Sequence, residues 1–238
     1  MTYIEGFVAA VPTANEATYT EHAREASGLF KEFGVARMVE TWGDDVPHGE
    51  VTDFYRAVEA KDDETVVFSW FEYPDKAARD AANEKIVNDD RMKAFGETMP
   101  FDGKRMIFAG FDTIVDEGDR GTPGYVDGIV LPVHPDKKDA YREMAQTMAH
   151  KFVEAGAVRV MEAWGDDVPA GETTDFRRAA KAQDGETVVF SYIGWPDKPT
   201  RDKAWEKIME DPEMHPDGDM PFDGKRMFWG GFRPILDL

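Results

Sequence analysis

The chain is written twice. Tyr3-Ile-Glu-Gly6 returns as Tyr125-Val-Asp-Gly128, an offset of 125 − 3 = 122. Trp42-Gly-Asp-Asp-Val-Pro-His-Gly-Glu-Val-Thr-Asp-Phe54 returns at Trp164–Phe176 with two of thirteen positions changed. Glu64-Thr-Val-Val-Phe-Ser69 matches Glu186–Ser191 throughout, and Met99-Pro-Phe-Asp-Gly-Lys-Arg-Met106 matches Met220–Met227. Between the copies, Asp116–Gly124 is rich in Gly and charge and includes Pro123, a composition that predicts an exposed connection. The expected organisation is one module over 1–117, a linker over 118–123 and a second module over 124–238.

Within the first copy, apolar alternation predicts strands over Tyr3–Val11, Val35–Trp42, Thr65–Tyr73 and Lys104–Ile114, with a further extended piece near Val51–Ala60. Tyr19, Ala23, Ala26, Phe30 and Phe33 recur at helical spacing before Gly34, predicting a helix from near Asn15 to Phe33. A second helix is expected over Lys76–Asn88, capped by Asp75. The order β-α-β-β-α-β implies a ferredoxin-like α+β module with both helices on one face of an antiparallel sheet. In Val66–Phe71, however, Val66, Phe68 and Trp70 point one way and Val67 and Phe71 the other, so both faces want burial. Helices cover one face only. The second copy supplies Val188, Phe190 and Tyr192, so the two sheets are expected to pack face to face as a dimeric α+β barrel within one chain.

These segments together, Glu-x-Trp-Gly-Asp-Asp-Val-Pro, Thr-Asp-Phe, Glu-Thr-Val-Val-Phe-Ser and Met-Pro-Phe-Asp-Gly-Lys-Arg-Met, resemble the DUF1428, or YbaA-like, family over nearly all of both copies. The resemblance implies the dimeric α+β barrel fold, normally built from single modules, and no established activity. This chain departs by fusing two modules and by placing Val133-His134 where the first copy has Val11-Pro12. A label tied to signal-recognition-particle RNA also circulates for such sequences, but the chain has no basic stripe.

A formal charge of −20 repels phosphate backbones and anionic lipid, so neither nucleic acid nor a membrane is expected as partner. The absence of Cys excludes disulfides, thiolate nucleophiles and iron–sulfur ligation, and fits a cytoplasmic location. No charged leader opens the sequence, and no run approaches the ~18–20 apolar residues of a membrane span. A monomer or weak homodimer is expected, with a small molecule as the partner to look for.

The copies have drifted unevenly. Nine of 31 positions match between Tyr3–Phe33 and the second copy, against 24 of 36 between Gly34 and Ser69. An interface between the halves would restrain the second block without any ligand; a site would do the same. Inside it, Glu40 lies between Met38 and Trp42 on one strand face, and Glu162 is flanked likewise by Val160 and Trp164. A buried acid must be paired or have a raised pKa, which makes Glu40 and Glu162 candidate general bases. Arg56, Arg105, Arg178 and Arg226 are the expected partners, and a Glu–Arg pair that only fixes register is the competing reading. Trp42 and Trp164, with these arginines, are the candidate binding residues. Asp44-Asp45 and Asp166-Asp167 read as turn acids because they lack an ordered calcium-loop series, and no metal or cofactor is expected. Asp102-Gly103 reads as a turn rather than a phosphate loop. None of the five histidines recurs at its partner position; His22, on the first helix, stands opposite Met144 and is a weaker catalytic candidate. His22 against Met144, and Lys93–Gly96 against His215–Gly218, are where the two halves should differ in function. Two functions remain open: a small-molecule binder, or a cofactor-independent enzyme, monooxygenase- or isomerase-like, acting on an aromatic or quinone-like substrate.

Overall fold

The computed structural model describes residues 2–119, 121–210 and 220–238. Eight strands form one closed antiparallel barrel. They are β1 (Tyr3–Pro12), β2 (Arg37–Asp45), β3 (Glu64–Tyr73), β4 (Ile107–Gly118), β5 (Tyr125–Val133), β6 (Arg159–Asp167), β7 (Thr187–Trp195) and β8 (Phe228–Asp237). The order around the barrel is β1-β3-β2-β8-β5-β7-β6-β4. Each copy thus contributes a ferredoxin-like sheet, β4-β1-β3-β2 or β8-β5-β7-β6. The sheets face one another and also join at their edges, β2 to β8 and β4 to β6. Both seams carry register shifts, which let the sheets curl into closure.

Helices α1 (Glu16–Phe33), α3 (Lys76–Asn88) and α4 (Asp90–Glu97) belong to the first half, and α5 (Lys138–Glu154) and α7 (Lys198–Glu210) to the second. Helix α1 buries Tyr19, Ala23, Ala26 and Phe33 and ends at Gly34, whose φ of 118° suits glycine. The segment expected to be extended near Val51–Ala60 instead contains a one-turn helix, α2 (Phe54–Ala57), capped by Asp53 through the Arg56 amide; α6 (Phe176–Ala179) repeats it. A single turn is too short to show helical periodicity. The last strand begins later than expected, because Gly103–Arg105 forms a 3-10 turn capped by Asp102.

The alternation along Val66–Phe71 holds. Val66, Phe68 and Trp70 fill the barrel with Val188, Phe190 and Tyr192, while Val67 and Phe71 face the helices. Phe68 stacks on its own counterpart Phe190 (ring centroids 4.4 Å apart, 4° between planes), and Trp70 on Tyr192 at 4.3 Å. A pseudo-twofold axis therefore runs between matching residues.

The retained motifs serve this axis. Asp44 accepts from Tyr125 Oη of the other half (2.8 Å) and Asp45 from Arg201 (2.9 Å). Reciprocally, Asp166 accepts from Tyr3 Oη (3.2 Å) and Asp167 from Arg79 (2.6 Å). The acidic pairs keep much of their side-chain surface in solvent, as read from the sequence, but they close strand ends rather than turns and act as clasps between halves. Thr52 Oγ1 donates to the Ala179 carbonyl and Thr174 Oγ1 to that of Ala57. Near the axis, Glu72 accepts from Arg159 (2.7 Å) and Arg37 (3.4 Å), and those arginines reach Asp116 and Asp237. Position 194, the counterpart of Glu72, is glycine.

Candidate functional site

Between the outer face of the first-half sheet and α1, α3 and α4 lies a cavity of about 420 Å³. Phe7, Ala26, Phe30, Met38 and Phe95 are among its walls, and among the described residues no Lys or Arg lines it. The strand period puts Met38, Glu40 and Trp42 on this face of β2, and Ser69 on that of β3, beneath the apolar stripe of α1.

Glu40 is 6% exposed and forms part of the cavity wall. Tyr19 Oη donates to its Oε2 at 2.6 Å, and Ser69 Oγ donates to the same oxygen. Burial with neutral hydroxyls as the only described partners pushes the carboxyl above its usual range, which the two donors offset in part. Burial and the neighbouring carboxyl hold the Tyr19 phenol far above its ordinary value. The second half repeats the triad. Tyr141 Oη donates to Glu162 Oε2 at 2.7 Å, joined there by Ser191 Oγ. The Glu162 carboxyl is enclosed although the residue keeps some surface, and burial pushes it up to about 7.

The acid folds neutral more readily than it does charged, so the native state binds protons that the unfolded chain has released. Stability from these groups is therefore present at low pH and is lost as pH rises from the ordinary carboxylate range, near 4.5, toward about 7 for Glu162. The double variant Glu40→Gln/Glu162→Gln is expected to flatten that slope. In thermal scans its melting point should gain roughly 5 °C on the native chain between pH 5 and 8; parallel curves would show that both carboxylates ionise freely.

The expected arginine partners are elsewhere. Arg105 forms a two-pronged ion pair with Glu64 (2.6 and 2.7 Å), and Arg226 repeats it with Glu186. Arg56 and Arg178 bind the capping Asp53 and Asp175. These four tie retained motifs together and do not reach the cavity. Trp42 backs Tyr19 at 6.2 Å between ring centroids, and Trp164 backs Tyr141 at 6.4 Å; neither lines the cavity. His22 does line it, edge-on to Phe95, with burial lowering its pKa. Tyr19 and Ser69 were missing from the sequence reading, yet a signal existed: Tyr19 is among the few positions of the drifted first helix that recur, as Tyr141.

The halves differ around this frame. In the first, Glu5 accepts from Arg79 Nε (3.1 Å), Asn83 Nδ2 (2.9 Å) and Tyr73 Oη (3.3 Å), so its charge is satisfied at the edge of the cavity. In the second, Asp127 is held by Arg201, Trp195 and Trp205, and the Trp205 indole, standing where the first half has Asn83, packs on Phe152. Leu131 replaces Ala9 and Met148 replaces Ala26. His215–Gly218 lies outside the described residues.

The model of a family described as "Protein of unknown function (DUF1428)" matches residues 2–103 and again 124–224. The chain belongs to the DUF1428 family. Among DUF1428 relatives, the "Uncharacterized protein YbaA" of Escherichia coli K12 is 60% identical over 117 residues, which are 49% of this chain and the whole of that one. The same fold occurs in a "putative monooxygenase" from Lactobacillus acidophilus (TM-score 0.57, 11% identity, 100% of this chain and 96% of that one). It recurs in another of that description from Fusobacterium nucleatum (0.56, 13%, 99% and 93%) and in an anthrone oxidase-like protein (0.53, 12%, 100% and 92%). At such identities these likenesses concern the DUF1428 fold alone. No helix among the described residues is long and apolar enough to cross a membrane.

Proposed function

We propose that this DUF1428 protein binds a small, largely apolar molecule in the first-half cavity. The observation that carries the reading is an apolar hollow of about 420 Å³ with the Glu40 carboxyl, braced by the Tyr19 and Ser69 hydroxyls and by no described cation, in its wall. That volume lies within the range of small-molecule sites, and so does the pattern of apolar walls with few convergent polar groups. A second reading, a cofactor-independent isomerase-like enzyme, draws on the raised pKa of Glu40. Its carboxyl can give a proton to one atom of a bound carbonyl compound and take one from another, which balances without an oxidant.

A melting-shift screen of small aromatic and alicyclic compounds tests both. A ligand at about a hundred times its Kd stabilises by about 2.7 kcal/mol, a shift of several degrees. Filling the hollow with Ala26→Trp should erase that shift, and a shift that survives would place the ligand elsewhere. Turnover lost in Glu40→Gln with binding kept selects the enzyme, and turnover that persists in that variant removes Glu40 from the chemistry.

A further inference from the structure

The bonds around Glu40 specify which molecule the cavity suits. Tyr19 and Ser69 both donate to Oε2, so in the neutral acid Oε2 is the carbonyl oxygen and the hydroxyl is Oε1. Oε1 carries neither bond, and it is not among the buried polar side-chain atoms left without a partner. Since Glu40 forms part of the cavity wall and Oε1 carries neither of those bonds, the geometry points Oε1 toward the hollow. Three other polar groups there are committed: Glu5 is held by Arg79, Asn83 and Tyr73, and Tyr19 and Ser69 spend their protons on Glu40. Burial disfavours the charged form of His22.

We propose that the cavity selects an uncharged molecule with a hydrogen-bond acceptor, such as a ketone, quinone or ester carbonyl on an aromatic or alicyclic frame, engaged by the Glu40 hydroxyl at Oε1. The proposal rests on the binding reading above and adds the ligand's chemistry. A carboxylate would enter without a cation to meet it, since no described Lys or Arg lines the hollow, and would face two acids. An ammonium paired with a Glu40 carboxylate would desolvate two charges in an apolar site. The neutral carbonyl needs neither.

Three probes on one frame test this with the full chain: 2-acetylnaphthalene, 2-naphthoate and 2-naphthylmethylamine, titrated calorimetrically at about pH 6. The ketone is expected to bind at least tenfold tighter than either ion. In Glu40→Gln the carboxamide oxygen accepts from Tyr19 and Ser69 while its nitrogen donates into the hollow, so ketone affinity should stay within about threefold. Glu40→Leu should lose about tenfold or more. Equal or tighter binding of naphthoate or the amine, a Gln variant as weak as the Leu variant, or no measurable ketone binding would overturn the proposal. The ranking of the three probes is read on the native chain, so it stands even if the Leu variant fails to fold. Ala26→Trp separates the two levels: ketone binding that survives it removes the cavity itself as the site, whereas a wrong ranking with binding abolished by it leaves the site and refutes only the ligand class.

Discussion

Residues 1–117 expressed alone are expected to run as a homodimer, with β2 of each copy paired to β4 of the other. In the full chain those edges are taken by β8 and β6, and Val66, Phe68 and Trp70 are covered by the second half. A lone half would expose two unpaired edges and one apolar sheet face, surfaces that drive association. The replacements available in a second copy are close to native. Phe68 would stack on Phe68 instead of Phe190, and Asp44 and Asp45 would find Tyr3 and Arg79 in place of Tyr125 and Arg201. The E. coli relative, 117 residues long and 60% identical, has the length of one such module. Light scattering on a sizing column should return twice the fragment mass; a stable, folded monomer would contradict the view that each half needs a lid for its sheet.

Gly6→Ala should strongly destabilise the barrel core, with Gly128→Ala close behind. A Cβ on Gly6 would stand 2.7 Å from the Phe190 ring, and one on Gly128 would stand 2.9 Å from the Phe68 ring. These rings stack on each other at the barrel centre, so neither can retreat without moving its partner. Overpacking of this kind costs roughly 3 kcal/mol, which for a chain of this length is a melting-point loss of about 6–12 °C. Gly28→Ala is the control: it is exposed on α1 with nothing within 4 Å of the added carbon, and should stabilise by up to about 1 kcal/mol through helix propensity. Equal losses at all three glycines would mean that backbone freedom, not contact with the rings, sets the cost.

The duplication, the strand alternation and the α1 stripe made the barrel readable before any coordinates, because each follows from a period of two or 3.6 residues. Local periods do not report how sheet edges meet, so the seams of β2 with β8 and β4 with β6, with their register shifts, were invisible. Glu40 was legible as an acid on an apolar face, but its partners were sought among arginines by charge. A strand period says which face a residue takes and not what lies opposite, and here hydroxyls from α1 and β3 lie opposite. The arginines proved to belong to Glu64, Glu186 and the capping aspartates, which explains why those motifs survive in both copies.

Glu72 shows what joining two modules permits. A symmetric dimer must place every residue near its axis twice, so charges there come in even numbers. One carboxylate with glycine as its counterpart, shared by Arg37 and Arg159, is an odd number that no pairing of identical modules can hold. The halves have thereby become left and right hands of one object, each shaped to the other and no longer to itself.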